Sequence, residues 1–134
     1  MITVHIDGAA RNNPGDAGIG VWAEKKGKEI LKLAEFIGKA TNNVAEYTAL
    51  IRALEELLIL GHKKGHFYSD SQLLVEQING RYKVKDEKLK GLFSRALKLI
   101  AKMAEFKITH VPREKNRMAD DLANLGIDRA RLSA

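Results

Sequence analysis

Hydrophobic and polar positions along this chain alternate between two periods, and each change of period marks an element. Ile2, Val4 and Ile6 alternate with Thr3 and His5, which predicts a strand over 1–6 with one buried face, ending on Asp7. Gly18–Ala23 and Ile30–Phe36 read as second and third strands around a Lys26-Gly27 turn, and the short links make the three an antiparallel meander. Glycines at 18 and 20 weaken a strand, so they point to close packing or a bulge. The period then becomes helical. Val44, Tyr47, Leu50, Ile51, Leu54, Leu57 and Leu58 form an apolar stripe between the capping triplet Thr41-Asn42-Asn43 and a stop at Gly61. His66–Ser69 is a fourth strand ending on Asp70, followed by a short helix from Ser71 to Ile78 that Asn79-Gly80 closes. After a basic connector, Arg81–Lys85, Asp86 caps a helix whose core face is Leu89, Leu92, Phe93, Ala96, Ile100 and Met103. Phe106–Val111 is a fifth strand and Pro112–Lys115 a loop. Asn116 then caps a last helix packed through Ala119, Leu122, Ala123 and Gly126. Beyond Asp128 no pattern is visible, and that end is expected to fray.

The order strand–helix–strand–helix indicates an α/β fold, and 134 residues suit a single domain over 1–134. No apolar run approaches membrane-spanning length and no leader precedes Ile2, which sets the expectation of an intracellular, cytoplasmic protein. With no Cys, disulfide and thiolate chemistry are excluded. The net charge of +6 is local: Arg81 to Lys107 holds nine basic residues against three acidic ones, so the rest of the chain is neutral. Such a surface suits a polyanion such as nucleic acid, although a solvated lysine-rich helix face has the same composition.

Carboxylates fall at telling places. Asp7 opens a Gly-, Asn- and Pro-rich turn, which suits either a metal or phosphate site or a plain hairpin. Glu46 falls in the first helical turn, roughly 80° from the centre of the apolar stripe, where it is either a dipole and capping residue or a buried-edge ligand. Asp70, taken alone, reads best as a helix N-cap. In the last helix Asp120 lies about 110° from the stripe's centre and Asp121 about 150°, so Asp120 is nearer the protein body. If the first and fourth strands are neighbours, as chain economy favours, their carboxylates converge. Clustered acids persist where a cation neutralises them, and oxygen donors without Cys or clustered His favour Mg²⁺ or Mn²⁺. Two such ions about 3.5–4 Å apart suit phosphodiester cleavage. The four histidines, His5, His62, His66 and His110, show no ligand spacing.

Four short pieces carry a resemblance: Asp7-Gly8-Ala9 with Asn13-Pro14-Gly15; Thr41-Asn42-Asn43 with Glu46; Ser69-Asp70-Ser71-Gln72; and Asn116 with Ala119-Asp120 and Leu122-Ala123. In this order they span residues 7–123, and the chain resembles a type 1 ribonuclease H. The resemblance implies a ribonuclease H-like fold with a five-stranded mixed sheet, order 3-2-1-4-5, strand 2 antiparallel, flanked by helices. It implies cleavage of the RNA strand of an RNA–DNA hybrid by two-metal-ion catalysis with Mg²⁺, for which Mn²⁺ substitutes, leaving 5′-phosphate and 3′-hydroxyl ends. Asp7, Glu46, Asp70 and Asp120 take the places of the catalytic, metal-holding carboxylates. Asp7 would bridge both ions, Glu46 and Asp70 would hold the ion near the leaving group, and Asp120 the ion carrying the attacking water. Asn12, Asn13, Asn43 and Gln72 would face ribose 2′-hydroxyls in the minor groove, and Thr41 would grip a phosphate of the DNA strand. For Thr41, Asn42 and Asn43, helix capping is the competing role.

The chain departs from the family in two places. The loop before Asp120 has no His, and Arg113 is expected to approach the scissile phosphate instead. The basic protrusion of some relatives is missing, so binding would rest on the Arg81–Lys90 surface, Lys85 included, with modest affinity and steep salt dependence. A monomer acting on RNA–DNA hybrid is expected. Three other readings share the motifs. Intact carboxylates argue against a silent hybrid-binding domain. The Asn-Pro-Gly loop and Asn42-Asn43 argue against a resolvase or transposase-like nuclease. The start at Met1 and the compact length favour a free-standing protein over a domain of a reverse transcriptase. The geometry of the last helix makes one sharp prediction: Asp120→Asn should cost at least about 100-fold in hybrid-cleavage rate, whereas Asp121→Asn should stay near wild type.

Overall fold

The computed structural model describes residues 1–133. Its elements are β1 (Ile2–Ala10), β2 (Gly15–Lys25), β3 (Lys28–Ala40), α1 (Asn42–Ile59), β4 (Lys64–Ser69), α2 (Gln72–Ile78), α3 (Glu87–Ile100), β5 (Glu105–His110), a 3-10 turn at Arg113–Lys115, and α4 (Arg117–Ser133). The strands form one mixed sheet in the expected order 3-2-1-4-5, with β2 antiparallel to both neighbours and β1, β4 and β5 parallel.

Alternation divides the sheet between two helical layers. Ile2, Val4 and Ile6, with Ile19, Val21 and Ala23 opposite them, meet Tyr47, Leu50, Leu54 and Leu57 of α1 and Phe67 of β4 in the main core. Helix α3 lies against α1. The other face, over β2 and β3, belongs to α4. Here the approach is very close because both surfaces are made of small residues. A Cβ on Gly20 would sit 2.7 Å from the Ala123 nitrogen and 2.8 Å from the Leu122 Cβ, and one on Gly126 would sit 2.7 Å from the Glu35 backbone. Both expectations for Gly18 and Gly20 hold: the β2–β3 register also shifts between Ala17 and Gly18. On the opposite face Gly8 lies directly under α1, where a side chain would run into the backbone of Ala45 and Glu46.

Several boundaries differ from the sequence reading. Strand β1 does not end on Asp7 but runs to Ala10, because β2 keeps pairing with it as far as Ala10↔Ala17. Its pairing with β4 does stop early, at His5↔Tyr68, so Asp7 still lies past the end of that parallel pair. Strands β2 and β3 are likewise longer than their apolar cores. Helix α3 stops at Ile100, and Met103 lies in the turn beyond it, whose next residue, Ala104, donates to the Lys63 carbonyl. The end expected to fray is the last part of α4, helical to Ser133. Its polar side chains find partners across the fold: Arg11 Nη1 donates to Asp128 Oδ1 at 2.7 Å and Arg131 Nε to Asp16 Oδ2 at 3.3 Å. An apolar period cannot register such pairs.

The basic segment is partly neutralised within the fold. Arg81 pairs with Glu76, Lys90 with Glu87, and Arg95 with Glu55. Lys83, Lys85 and Lys88 stand exposed. The connector carrying them is tied to the core: buried Tyr47 donates to Gln77 Oε1 at 2.6 Å, and Gln77 Nε2 to the Lys83 carbonyl at 3.3 Å.

The tight β2–α4 contact predicts that Gly20→Ala destabilises the protein by about 1–3 kcal/mol through overpacking. Gly91→Ala, in open space on α3, should instead stabilise by about 1 kcal/mol. Urea denaturation of both variants checks the pair.

Candidate active site

Four elements bring carboxylates to one end of the sheet. Asp7 comes from β1 beyond its pairing with β4, and Asp70 follows Ser69, the last residue of β4. Glu46 comes from the first turns of α1, and Asp120 from those of α4. Oxygens of Asp7, Glu46 and Asp70 all lie within 4.8 Å of one another. Asp120 joins them in the wall of an open cleft of about 470 Å³, together with Gly8, Arg11, Asn42, Arg113 and Asn124. The convergence expected from the sequence is therefore present, and Asp121 is exposed outside this cleft.

Local structure explains why each carboxylate is free to face the cleft. Asp70 is not the α2 cap: Ser71 takes that position, its hydroxyl accepting from the Leu74 N–H at 3.2 Å. Thr41 alone of its triplet caps α1, accepting from Val44 N–H at 3.2 Å. Glu46 does not cap its own helix. Its Oε1 accepts from the Gly8 N–H at 2.7 Å, across the contact that only glycine permits. Asn116 stands at the start of α4, and its carbonyl accepts from Asp120 N–H, yet its side chain does not cap that helix. It is buried, with Nδ2 donating to the Ile6 carbonyl at 2.8 Å and Oδ1 accepting from His5 Nδ1 at 3.1 Å. Asn116 thus fastens the start of α4 to β1, one residue before Asp7.

Crowding sets the electrostatics. Burial, then repulsion from Glu46 and Asp70, pushes the Asp7 carboxyl above neutrality. Burial, then Asp70, pushes Glu46 up as well, against the opposing pull of the Gly8 N–H. The cleft wall holds two cationic side chains, Arg11 and Arg113, and Arg113 Nη2 reaches Asp120 Oδ2 at only 3.5 Å. A set of hard oxygen donors in mutual repulsion fits a divalent cation such as Mg²⁺ or Mn²⁺.

The remaining residues singled out in the sequence are distributed around this cleft. Asn12 is exposed at the tip of the β1–β2 loop with φ 61°. Asn13 and Asn42 are engaged in the scaffold: Asn13 Oδ1 accepts from Asn42 N–H at 2.9 Å, and Asn42 Oδ1 accepts from Ala10 N–H at 2.8 Å. Asn43 and Gln72 are exposed at the starts of α1 and α2. Lys85 stands on the α2–α3 connector and does not line the cleft. Sequence reasoning missed Arg11 and Asn124, and it misread the job of Asn116. One signal was available: Asp120, Asn124 and Asp128 form a polar row at four-residue spacing along one face of α4.

Sheet order and acidic cleft together define the ribonuclease H-like class. Residues 5–126 match a family model described as reverse transcriptase-like. The bifunctional protein Rv2228c of Mycobacterium tuberculosis is 40% identical over 135 residues, covering 99% of this chain and 37% of the relative. Ribonuclease HI of Halobacterium salinarum is 40% identical over 130 residues, covering 96% of this chain and 65% of the relative. LC11-RNase H1, solved in complex with an RNA/DNA hybrid, superposes with a TM-score of 0.92 at 43% identity, covering 97% of this chain and 99% of that one. The chain belongs to the type 1 ribonuclease H family, as its motifs implied. It spans between 37% and 65% of the length of these two curated relatives. No helix among the described residues is long and apolar enough to cross a membrane.

The crowding has a pH signature. An acid whose pKa is raised by folding stabilises the native state below its ordinary range, and that contribution is lost as pH rises through the folded value. In chelator, the melting temperature should therefore fall between about pH 5 and pH 9, by about 5 °C or more. Asp7→Asn should flatten the slope and raise the alkaline melting point. Thermal melts with and without added Mg²⁺ check this, and the ion should stabilise wild type most at the alkaline end.

Proposed function

We propose that the protein is an endoribonuclease that hydrolyses the RNA strand of RNA–DNA hybrids, using two divalent ions and leaving 5′-phosphate and 3′-hydroxyl ends. The observation that carries this reading is the meeting of Asp7, Glu46 and Asp70 within 4.8 Å, with Asp120 beside them, in a cleft open enough for a nucleic-acid backbone. The carboxylate oxygens of these four residues would hold the ions. When bound, the ions supply Lewis-acid stabilisation of the phosphoryl oxygens and a water of lowered pKa. In the net reaction the water oxygen bonds to phosphorus, the P–O3′ bond breaks, and the departing 3′ oxygen ends protonated.

The chain's own groups do the binding and orienting. Glu46 is aimed by the Gly8 N–H, so its second oxygen remains for an ion or a ribose hydroxyl. Thr41 uses its hydroxyl oxygen as an acceptor for the helix cap and keeps its hydrogen to donate to a phosphate of the DNA strand. The free amides of Asn12, Asn43 and Gln72 suit ribose 2′-hydroxyls in a shallow minor groove. Asn13 contributes by bracing the β1–β2 loop against α1, leaving its Nδ2 for substrate. Arg113, on its exposed 3-10 turn, would turn from Asp120 to the scissile phosphate, and Lys85 would add charge on the DNA side.

The test is incubation with labelled RNA–DNA hybrid, RNA duplex and DNA duplex, each with Mg²⁺, Mn²⁺ or EDTA. The expected result is metal-dependent cutting confined to the RNA of the hybrid. Cutting that survives EDTA, or equal cutting of DNA, overturns the reading. Arg113→Ala should lower kcat by about tenfold or more if Arg113 meets the phosphate in the transition state. Unchanged turnover in that variant, alongside an inactive Asp70→Asn, removes Arg113 from the mechanism.

A further inference from the structure

One polar chain on α4 is not explained by the fold or by the catalytic assignment. Asp120, Asn124 and Asp128 occupy successive turns on one face of the helix. Asn124 Nδ2 donates to Asp120 twice, to its backbone carbonyl at 3.1 Å and toward its carboxylate Oδ1 at 3.4 Å. Asn124 Oδ1 accepts from Arg11 Nη2 at 3.1 Å, and Arg11 Nη1 donates to Asp128 Oδ1 at 2.7 Å. Arg11 comes from the residue just after β1, so the relay spans from the β1–β2 loop to α4 and ends on a carboxylate of the cleft.

Physical chemistry gives each link a task. An Asn side chain is nearly symmetric in shape but not in charge. Flipped, Asn124 would set its carbonyl oxygen against the Asp120 carboxylate and repel it. The Arg11 guanidinium forbids that flip, because its N–H needs an acceptor where Oδ1 now stands. Asp128 holds the guanidinium in turn, and only an arginine, with its planar fork of donors, serves both neighbours at once. Both oxygens of the half-buried Asp120 carboxylate have a neighbour: Oδ1 faces Asn124 and Oδ2 faces Arg113.

The geometry points to Asn124 and Arg11 as positioning residues, a relay from Asp128 through Arg11 and Asn124 that holds the Asp120 carboxylate in the orientation needed to hold a divalent ion. This rests on the nuclease reading for its consequence in catalysis, but not for its consequence in ion binding. Partners behind a ligand typically change ion affinity or activity by about 10–100-fold when removed. Arg11 acts through Asn124 and does not touch substrate.

The experiment is a double-mutant cycle read in two ways. Wild type, Arg11→Ala, Asn124→Ala, the double variant and the exposed control Asp121→Asn are titrated with Mn²⁺ by calorimetry, with melting temperatures taken in chelator. The same proteins are assayed on hybrid well below those melting points. Asn124→Ala should weaken Mn²⁺ binding and lower kcat by about tenfold with KM almost unchanged. Arg11→Ala should lose less, and the double variant should match Asn124→Ala within about twofold, the non-additivity of residues acting in series. Asp121→Asn should behave as wild type. The proposal is overturned if Asn124→Ala binds Mn²⁺ as wild type does, if the two losses simply add, or if Arg11→Ala raises KM alone, which would make Arg11 a substrate contact. If wild type binds Mn²⁺ but leaves the hybrid intact, the nuclease reading fails while calorimetry still decides the relay. If wild type binds no Mn²⁺, the relay has nothing to orient and is rejected.

Discussion

Mutual repulsion among carboxylates is the constraint on which this structure turns. Asp7, Glu46 and Asp70 stand within 4.8 Å of one another, partly or fully shielded from water, where like charges interact most strongly. A fold has no reason to assemble such a set for stability. The rest of the architecture has to hold the acids together against this repulsion and leave their oxygens unspent. The other polar groups nearby are arranged accordingly. Ser71 rather than Asp70 caps α2, Thr41 rather than Glu46 caps α1, and Asn116 secures α4 without touching an acid's side chain.

What resists the repulsion is close backbone packing. Glycine at position 8 lets α1 descend until Glu46 meets the β1 N–H, and glycine at position 20 lets α4 descend on β2 beside Asp120. Both contacts are made mainly by backbone atoms, so the scaffold sets how closely the elements carrying the acids approach. The mixed sheet does the rest: β1 and β4 run parallel, and both bring their carboxylates to the same edge. A charged cluster on flexible loops would spread apart; here Asp7 stands within β1, Asp70 directly after β4, and Glu46 and Asp120 near helix starts, with dense packing behind them.

Much of this was legible in one dimension. Period-2 and period-3.6 patterns placed five strands and four helices in order, and the strand-terminal or helix-initial positions of Asp7, Glu46, Asp70 and Asp120 marked them out. The angular argument that separated Asp120 from Asp121 agrees with the structure, where Asp120 faces the cleft and Asp121 lies exposed outside it. The errors have a common cause. Asp7 was read as a strand end because a Gly-, Asn- and Pro-rich turn follows it, yet pairing with β2 carries the strand on to Ala10. Asn116 was read as a helix cap because Asn before a helix usually is one, yet its side chain is used on β1. The tail beyond Asp128 was expected to fray because it shows no clear pattern, yet the helix runs on to Ser133 and Asp16 supplies Arg131 with a partner from far away in sequence.

The sequence by itself determined the elements, their order, the kind of donor atoms in the cleft and the family to which the chain belongs. These depend on local periodicity and on the chemistry of single residues, both of which survive without coordinates. Only the tertiary structure decided which polar side chains are spent on the scaffold and which remain for ligands. Asn13, Asn42, Asn116 and Asn124 look alike as letters, but each is assigned by partners lying between 4 and 113 residues away. A hydrogen bond is specified by position and direction in space, and neither is written in the spacing of the chain.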